Sequence, residues 1–290
     1  MIPIKSKNLD RQFLHFVKYE GAGNDFVIVD AMESPVYLSL GQIQQICDRH
    51  FGIGADGLIF IRPSKDADYE MVYHNADGDE GSMCGNGARC AFTFARMKGY
   101  AGDTARFMAY DGLHTARLLA KSWVEVSMSD VRKSDMTMSD MDKSGIGATS
   151  QKTNDCILDT GSPHYVRFVT DLDDLDIVEE GRRIRYSETF KDVGINVNFV
   201  EIYPDFLRLG TYERGVEDRT LACGTGATAV ALAFADMKGL LEGPVAIKAD
   251  GGDLIVNFQR VEGGFTNIVL QGPVREAFIG TIALDPTLHG

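Results

Sequence analysis

The stretch Met83-Cys84-Gly85-Asn86-Gly87-Ala88-Arg89-Cys90 recurs in outline as Ala222-Cys223-Gly224-Thr225-Gly226-Ala227-Thr228. Each is a Cys-Gly-polar-Gly-Ala turn that runs into an Ala-rich apolar segment, residues 91–98 and 229–238, and each ends in Met-Lys-Gly. A cation in the last turn with Gly just beyond it is a helix stop. The pattern therefore predicts two helices, each with a cysteine at its start and with Gly99 or Gly239 at its end. The cysteines lie 139 positions apart in a chain of 290. Other loops recur near that offset. Tyr73 and Tyr212 each stand 11 residues before a cysteine. Gly23-Asn24-Asp25-Phe26-Val27 roughly matches Gly161-Ser162-Pro163-His164-Tyr165-Val166, and Gly54-Ala55-Asp56 matches Gly194-Ile195-Asn196. Similar loops in one order at one offset mark a duplicated domain. Each half is then a set of strands around one helix, and a helix that is apolar nearly all round is a buried one. The predicted fold class is α/β of the α+β kind, with two pseudo-symmetric halves: residues 1–130 carrying Cys84 and residues 131–272 carrying Cys223, the tail 273–290 packing back on the first.

Glycines let backbone N–H groups converge where a helix begins, and that helix end carries partial positive charge, so such a turn suits an anion. A cysteine placed there is expected to have its pKa lowered. For either turn alone the plainer reading is a Gly-rich turn with an inert core cysteine. The repetition favours two thiols facing one small anionic ligand.

The bulk composition narrows the class of function. Hydrophobic content of 44% and charged content of 24% fit a soluble globular protein. A net charge of −13 argues against a nucleic-acid or acidic-membrane partner. No run approaches the roughly 18 apolar residues of a membrane span, and Met1-Ile-Pro-Ile-Lys-Ser-Lys has no signal-peptide core, so a cytoplasmic protein is expected. Cys47, Cys84, Cys90, Cys156 and Cys223 are too sparse for a disulfide framework and contain no Cys-x-x-Cys pair. No metal site is expected.

Along the chain, residues 1–12 read as a frayed extension, 14–19 and 26–29 as strands around a Gly-Asn-Asp turn, and 40–49 as a short helix. Residues 58–61 and 69–73 read as strands, and 105–128 as a meander turning at Asp111-Gly112, with Trp123 in the core. Residues 130–155, rich in Ser, Asp, Lys and Gly, read as a linker. Strands are expected at 156–160, 193–200, 206–212, 245–248, 254–258 and 267–270, followed by a tail from Gly272. Asn24, His164 and Glu213 would each be ordinary structural or surface residues if taken singly.

Two homologous halves facing each other would present one thiol to each face of a ligand between them. Inverting a carbon stereocentre needs that arrangement, because one base removes the proton and an acid opposite returns one. N–H groups from two helix starts would stabilise charge building on an α-carboxylate. No cofactor is needed for this chemistry.

The chain resembles the diaminopimelate epimerases, which belong to the amino-acid racemases that work without pyridoxal phosphate. The resemblance runs from about residue 14 to about residue 275. The matching stretches are Gly23-Asn24-Asp25-Phe26, Arg49 to Gly57, Asn75-Ala76-Asp77-Gly78, Met83 to Cys90, Gly161 to His164, Asn196 to Phe199, Glu213-Arg214-Gly215 and Ala222 to Ala227. It implies two domains, each a curved, mostly antiparallel sheet around a central helix, usually in a homodimer. It implies epimerisation of LL-diaminopimelate to the meso form, without cofactor, in the making of lysine and peptidoglycan precursors. It implies Cys84 and Cys223 as the acid/base pair, with Gly85, Asn86, Gly224 and Thr225 binding the α-carboxylate at the reacting carbon. Asn24 would place the substrate; Asn75, Ser162, Asn196 and Arg214 would hold its far end; His164 and Glu213 would adjust the thiols. Three positions depart from the family pattern: Ser162 stands for the usual Asn, Gly57 for a Gln in some members, and Arg219 for a common acidic residue.

Two other readings compete. A proline-type racemase on the same fold would have no use for Arg214 with Asn75 and Asn196. A thiol-redox or metal-binding protein using Cys84, Cys90 and Cys223 leaves the repeated Gly-rich helix starts without a purpose.

Overall fold

The computed structural model describes residues 12–120, 122–138, 155–285 and 288. The first half runs β1 (Phe13–Gly21), β2 (Asn24–Asp30), α1 (Leu40–Cys47), β3 (Gly57–Arg62), β4 (Tyr69–Asn75), α2 (Gly85–Met97), β5 (Thr104–Ala109), β6 (Gly112–Ala120) and β7 (Trp123–Ser127). Two short strands follow, β8 (Val131–Arg132) and β9 (Met136–Met138). The second half runs β10 (Cys156–Asp159), β11 (Pro163–Val169), α3 (Ile177–Arg185), β12 (Asn196–Ile202), β13 (Leu207–Glu213), β14 (Asp218–Thr220), α4 (Gly224–Lys238), β15 (Val245–Ala249), β16 (Gly252–Val261) and β17 (Gly264–Pro273). A last strand, β18 (Arg275–Ala283), pairs antiparallel with β1.

The duplication is visible in the pairing. In the first half β1–β2 is antiparallel, β2–β3 parallel, β3–β4 antiparallel, β4–β5 parallel, and β5–β6 and β6–β7 antiparallel. With the short β14 set aside, β10–β11, β11–β12, β12–β13, β13–β15, β15–β16 and β16–β17 repeat that series in order. The halves are stitched together where β17 pairs with β7 and β8.

Each parallel pair needs a crossover, and a helix supplies it. α1 and α3 cover the outer faces; α2 and α4 fill the inner ones. The run Leu58-Ile59-Phe60-Ile61 is apolar without alternation because both of its faces are covered: Leu58 and Phe60 pack in the cluster around α1, Ile59 and Ile61 in the cluster that holds α2. α2 touches β1, β2, β3, β4, β6, β7 and β17, and α4 touches strands β10–β12 and β15–β17. A helix ringed by strands has little wet surface: α4 is apolar nearly all round, whereas α2 has a polar side that is turned into the protein, with Asn86 and Arg89 fully buried and Thr93 half-buried. Phe92 and Phe94 of α2 are fully buried, each worth about 1.5–3 kcal/mol relative to exposure.

Several expectations need correcting. Trp123 is half-buried at the start of β7, opposite Pro273, and is not a core residue. The expected linker is partly structured: Val131 and Arg132 pair with β17, and residues 136–138 pair with β10. Residues 139–154, and residues 1–11 of the expected N-terminal extension 1–12, lie outside the described residues. Residues 275–283, read as tail, form a full strand. α3 had no counterpart in the sequence reading. Asp176 caps it, accepting from the N–H of Glu179 at 2.9 Å. Only Ile177, Gly181 and Ile184 of α3 are buried, too few to leave an apolar stripe. Among the described residues no helix is long and apolar enough to cross a membrane.

Candidate active site

Cys84 is the N-cap of α2 and Cys223 the N-cap of α4, with extended backbones at φ −109° and −121°. Each Sγ accepts from the N–H three residues on, that of Gly87 or Gly226, at 3.4 Å. Each cap carbonyl takes the next N–H, from Ala88 or Ala227, at 2.8 Å. A helix leaves its first four N–H groups without intrahelical partners. What remains at the two starts is the N–H pair of Gly85 and Asn86 and that of Gly224 and Thr225.

The two starts converge on one place. A Cβ added to Gly85 would lie 2.7 Å from Leu270 Cδ2, and one added to Gly224 would lie 3.0 Å from the same atom and 3.4 Å from Asn86 N. Glycine at both positions is what lets the helix ends approach. Asn86 spans the junction: its Nδ2 donates to the carbonyl of Ala222 at 3.2 Å, and Arg89 donates to its Oδ1 at 2.7 Å. Arg89 is itself fully buried.

A cavity of about 440 Å³ opens over these helix starts, lined by Cys84, Gly85, Cys223, Gly224 and Thr225. Asn24, Asn75, Ser162, Asn196, Glu213 and Arg214 line it too. Asn86 and His164 do not reach it; both are fully buried. Asn196 is occupied in building the wall. Its Nδ2 donates to Ser162 Oγ at 2.9 Å and to the carbonyl of Pro163 at 3.1 Å, and its Oδ1 accepts from the N–H of Arg214 at 2.9 Å.

Three arginines line the cavity, and they differ. Arg49 is taken by Asp25 and Asp56 at 2.9 and 2.6 Å, and Arg219 by Asp250 at 2.6 Å. Arg214 donates to the carbonyl of Val193 at 3.1 Å and makes no ion pair among the described residues. It is the cavity arginine whose charge is left for an incoming carboxylate.

The thiols have different neighbours. Cys84 Sγ lies 3.8 Å from Asn24 Oδ1, an acceptor. The Nδ2 of Asn24 donates to Asp56, whose other oxygen accepts from Arg49. Burial would raise Asp25, but hydrogen bonds from Arg49 and Lys18 outweigh it and hold the group at about 2. That leaves Asp25 a fixed anion anchoring Arg49. Cys223 Sγ lies 3.4 Å from Thr225 Oγ1, which is 2.9 Å from His164 Nε2.

The expectation of lowered thiol pKa values is overturned. Burial pushes Cys84 up to about 11; the Gly87 N–H opposes this, and the charge of Glu213 adds to it. Burial also raises Cys223, again with Glu213 adding, while Thr225 and the Gly226 N–H pull the other way. Glu213 is raised by its own burial and by Asp56. Desolvation of a small anion in a closed cleft outweighs the partial charge of a helix start.

Several lining residues had been given no role from the sequence: Tyr73, Arg49 and Asp56. Tyr73 also explains Gly57. A Cβ at position 57 would collide with the Tyr73 ring and the carbonyl of His74, so the ring takes space that a longer side chain there would need. The motif Arg49-His50-Phe51-Gly52-Ile53-Gly54-Ala55-Asp56 carried the signal, but a Gly-rich loop ahead of a strand gives no hint that its ends reach Asp25 and Asn24.

The profile of the family described as diaminopimelate epimerase matches residues 16–133 and 156–276. The diaminopimelate epimerase of Flavobacterium psychrophilum is 39% identical over 267 residues, covering 91% of this chain and 98% of that protein. That of Chlorobaculum tepidum is 41% identical over 271 residues, covering 91% and 99%. Among solved structures, a phenazine biosynthesis protein of the PhzF family from Bacillus anthracis superposes with a TM-score of 0.73 at 15% identity, covering 94% of this chain and 100% of that one. A hydroxyproline epimerase from Agrobacterium vitis gives 0.71 at 14%, covering 96% and 93%. At those identities the structural likeness speaks for the fold. The sequence matches, over both halves and nearly the whole length, decide the family: the chain belongs to the diaminopimelate epimerases.

Proposed function

We propose that this protein epimerises diaminopimelate, interconverting the LL and meso forms by inverting one α-carbon, with Cys84 and Cys223 as the two bases and no bound cofactor. The observation that carries the reading is that two repeated cysteine caps, one from each half, open on a single cavity. One thiolate takes the α-proton and becomes a thiol. The electron pair left on carbon spreads into the α-carboxylate. The thiol opposite gives its proton to the other face and becomes a thiolate, so the two cysteines exchange roles at each turnover. The N–H groups of Gly85, Gly224 and Thr225, which line the cavity, hold the carboxylate and stabilise the charge that builds on it, with Asn86 beneath them bridging the two helix starts. Glu213 and His164 act on the thiols: the carboxylate of Glu213 raises both, and His164 reaches Cys223 through Thr225.

The second amino-acid group of the substrate sets the specificity. Arg214, with no acidic partner among the described residues, binds the far carboxylate, and Asn75, Ser162 and Asn196 shape the wall beside it. Asn24 aligns the substrate against Cys84. In this reading the protein works as a homodimer. Among the described residues β18 pairs with β1 alone, and it presents Ile279 and Phe278, 71% and 48% exposed. An open edge with apolar side chains is a surface that a second copy would cover. The test of the activity is incubation with LL-diaminopimelate and chiral separation of the products. Appearance of the meso form is expected, and its absence in active-protein controls overturns the reading.

A further inference from the structure

Behind Cys223 lies a chain of buried side chains whose hydrogen bonds have one consistent direction as far as Thr225. Asn198 is fully buried in β12, and its Nδ2 lies 3.1 Å from the carbonyl of Tyr165. A carbonyl can only accept, so the amide orientation is fixed. Its Oδ1 takes the hydroxyl of Thr211 at 3.0 Å, which agrees. The same Nδ2 lies 3.1 Å from His164 Nδ1. Facing a donor, Nδ1 must present its lone pair, so in the neutral ring the proton sits on Nε2. Burial, and the charge of Arg214, push His164 down to about 3, so the ring is neutral at working pH. Nε2 then donates across 2.9 Å to Thr225 Oγ1. With a lone pair engaged, the threonine hydroxyl has its own hydrogen to give, and Cys223 Sγ is 3.4 Å away.

We infer that Asn198 is a positioning residue for the epimerisation: it holds His164 as the Nε2–H tautomer and so makes the Thr225 hydroxyl a donor to Cys223. This rests on the reading of Cys223 as one of the two bases. Among the described residues Cys84 has no such chain. Its side-chain neighbour is the acceptor Asn24 Oδ1, which favours the protonated thiol. The two halves therefore repeat the cysteine and its helix while supporting it differently. The Cys223 thiolate has a directed hydroxyl donor, and Cys84 has an acceptor suited to its thiol.

The test is Asn198→Asp, a near-isosteric change that puts an acceptor where Nδ2 was. A carboxylate oxygen facing Nδ1 draws the proton there and leaves Nε2 as an acceptor. The Thr225 hydroxyl then turns toward Nε2 and away from Cys223. Nitrogen-15 spectra of histidine-labelled protein, with His164→Gln to assign the signal, should show protonated Nε2 in the wild type and protonated Nδ1 in the variant. Alkylation of Cys223, read by peptide mapping, should slow by about ten-fold, as for loss of one hydrogen bond to a charged group, with Cys84 unchanged. The turnover number should fall with it while KM holds. Thr225→Val should reproduce the Cys223 effect without moving the tautomer, and it serves if the Asp variant fails to fold. A wild-type ring protonated at Nδ1 overturns the inference. So does Cys223 reactivity left unchanged by both the reversed tautomer and the lost hydroxyl. Neither result touches the question of whether the wild type makes meso-diaminopimelate, which the product assay answers separately.

Discussion

Cys84 and Cys223 feel two opposed influences, the partial positive charge of a helix start and the loss of solvent around the sulfur. From the sequence only the first is visible, because spacing shows a cap and says nothing of what closes over it. In the structure burial dominates, and Cys84 is pushed up to about 11. Its thiolate fraction should therefore be small at neutral pH and rise tenfold per pH unit toward that value. Iodoacetamide labelling of Cys84 in the free protein, followed by peptide mapping across the alkaline range, checks this; a plateau reached near pH 7 would show that the helix start prevails. Arg214 was legible as a candidate, since its place in Glu213-Arg214-Gly215 matched the family. Only the ion pairs of Arg49 and Arg219 single it out as the cavity arginine without an ion pair among the described residues. Arg214→Lys keeps the charge but loses the planar fork that grips a carboxylate. It should lower kcat/KM for diaminopimelate by about ten-fold or more through KM, the size expected for weakening a charged hydrogen bond. Unchanged kcat/KM would assign the far carboxylate elsewhere. Asn198 and Thr211 were not legible, because a buried Asn in an apolar strand gives no sign of the ring it orients.

Elements show a similar division. Both central helices could be read because their caps, stops and Ala-rich apolar residues agree. The pairing of Tyr73 with Tyr212, drawn from equal distances to the cysteines, does not survive. Tyr73 packs toward α2, while Tyr212 belongs to the cluster around α3, on the opposite face of its strand. Side chains alternate along a strand, so a slip of one residue puts them on different sides. Thr211, which faces Asn198, is the residue that answers Tyr73. Connections of unequal length absorb the slip: nine residues join β4 to α2, and ten join β13 to α4. α3 escaped notice because its apolar face is two isoleucines and Gly181, where a Cβ would strike the Tyr212 ring. Gly85 makes a sharper test. An Ala there would press Leu270 at 2.7 Å. Gly85→Ala should cost about 1–3 kcal/mol of stability through overpacking, and it should cut activity by displacing the start of α2. Adding Leu270→Ala should recover activity more than stability, since it relieves the clash but opens a cavity. Denaturant unfolding beside the product assay reads both. A fully active Gly85→Ala would mean that the helix starts need not meet as closely as they do.

For the molecule as a whole, the duplication was legible from one offset, and the matching series of strand pairings follows from it. The way the halves join was not, because pairing between β17 and β7 depends on register that no local pattern records. The same holds for β18 returning to β1. If the open edge of β18 is where a second copy sits, sedimentation should give twice the monomer mass, and Ile279→Lys should shift the protein toward monomer; a wild-type monomer at micromolar concentration would refute that. In the proposed mechanism the two halves act together on one carbon from opposite faces. Its most direct test is epimerisation in deuterium oxide, stopped early. The thiol on the donating side carries solvent deuterium before turnover begins, and the proton removed goes to the other thiol. Product formed in the first turnovers should therefore carry deuterium at the inverted carbon, while recovered substrate stays largely unlabelled. A single base would hand its captured hydrogen back to either face, so early product that keeps the substrate's own hydrogen would contradict the two-thiol account.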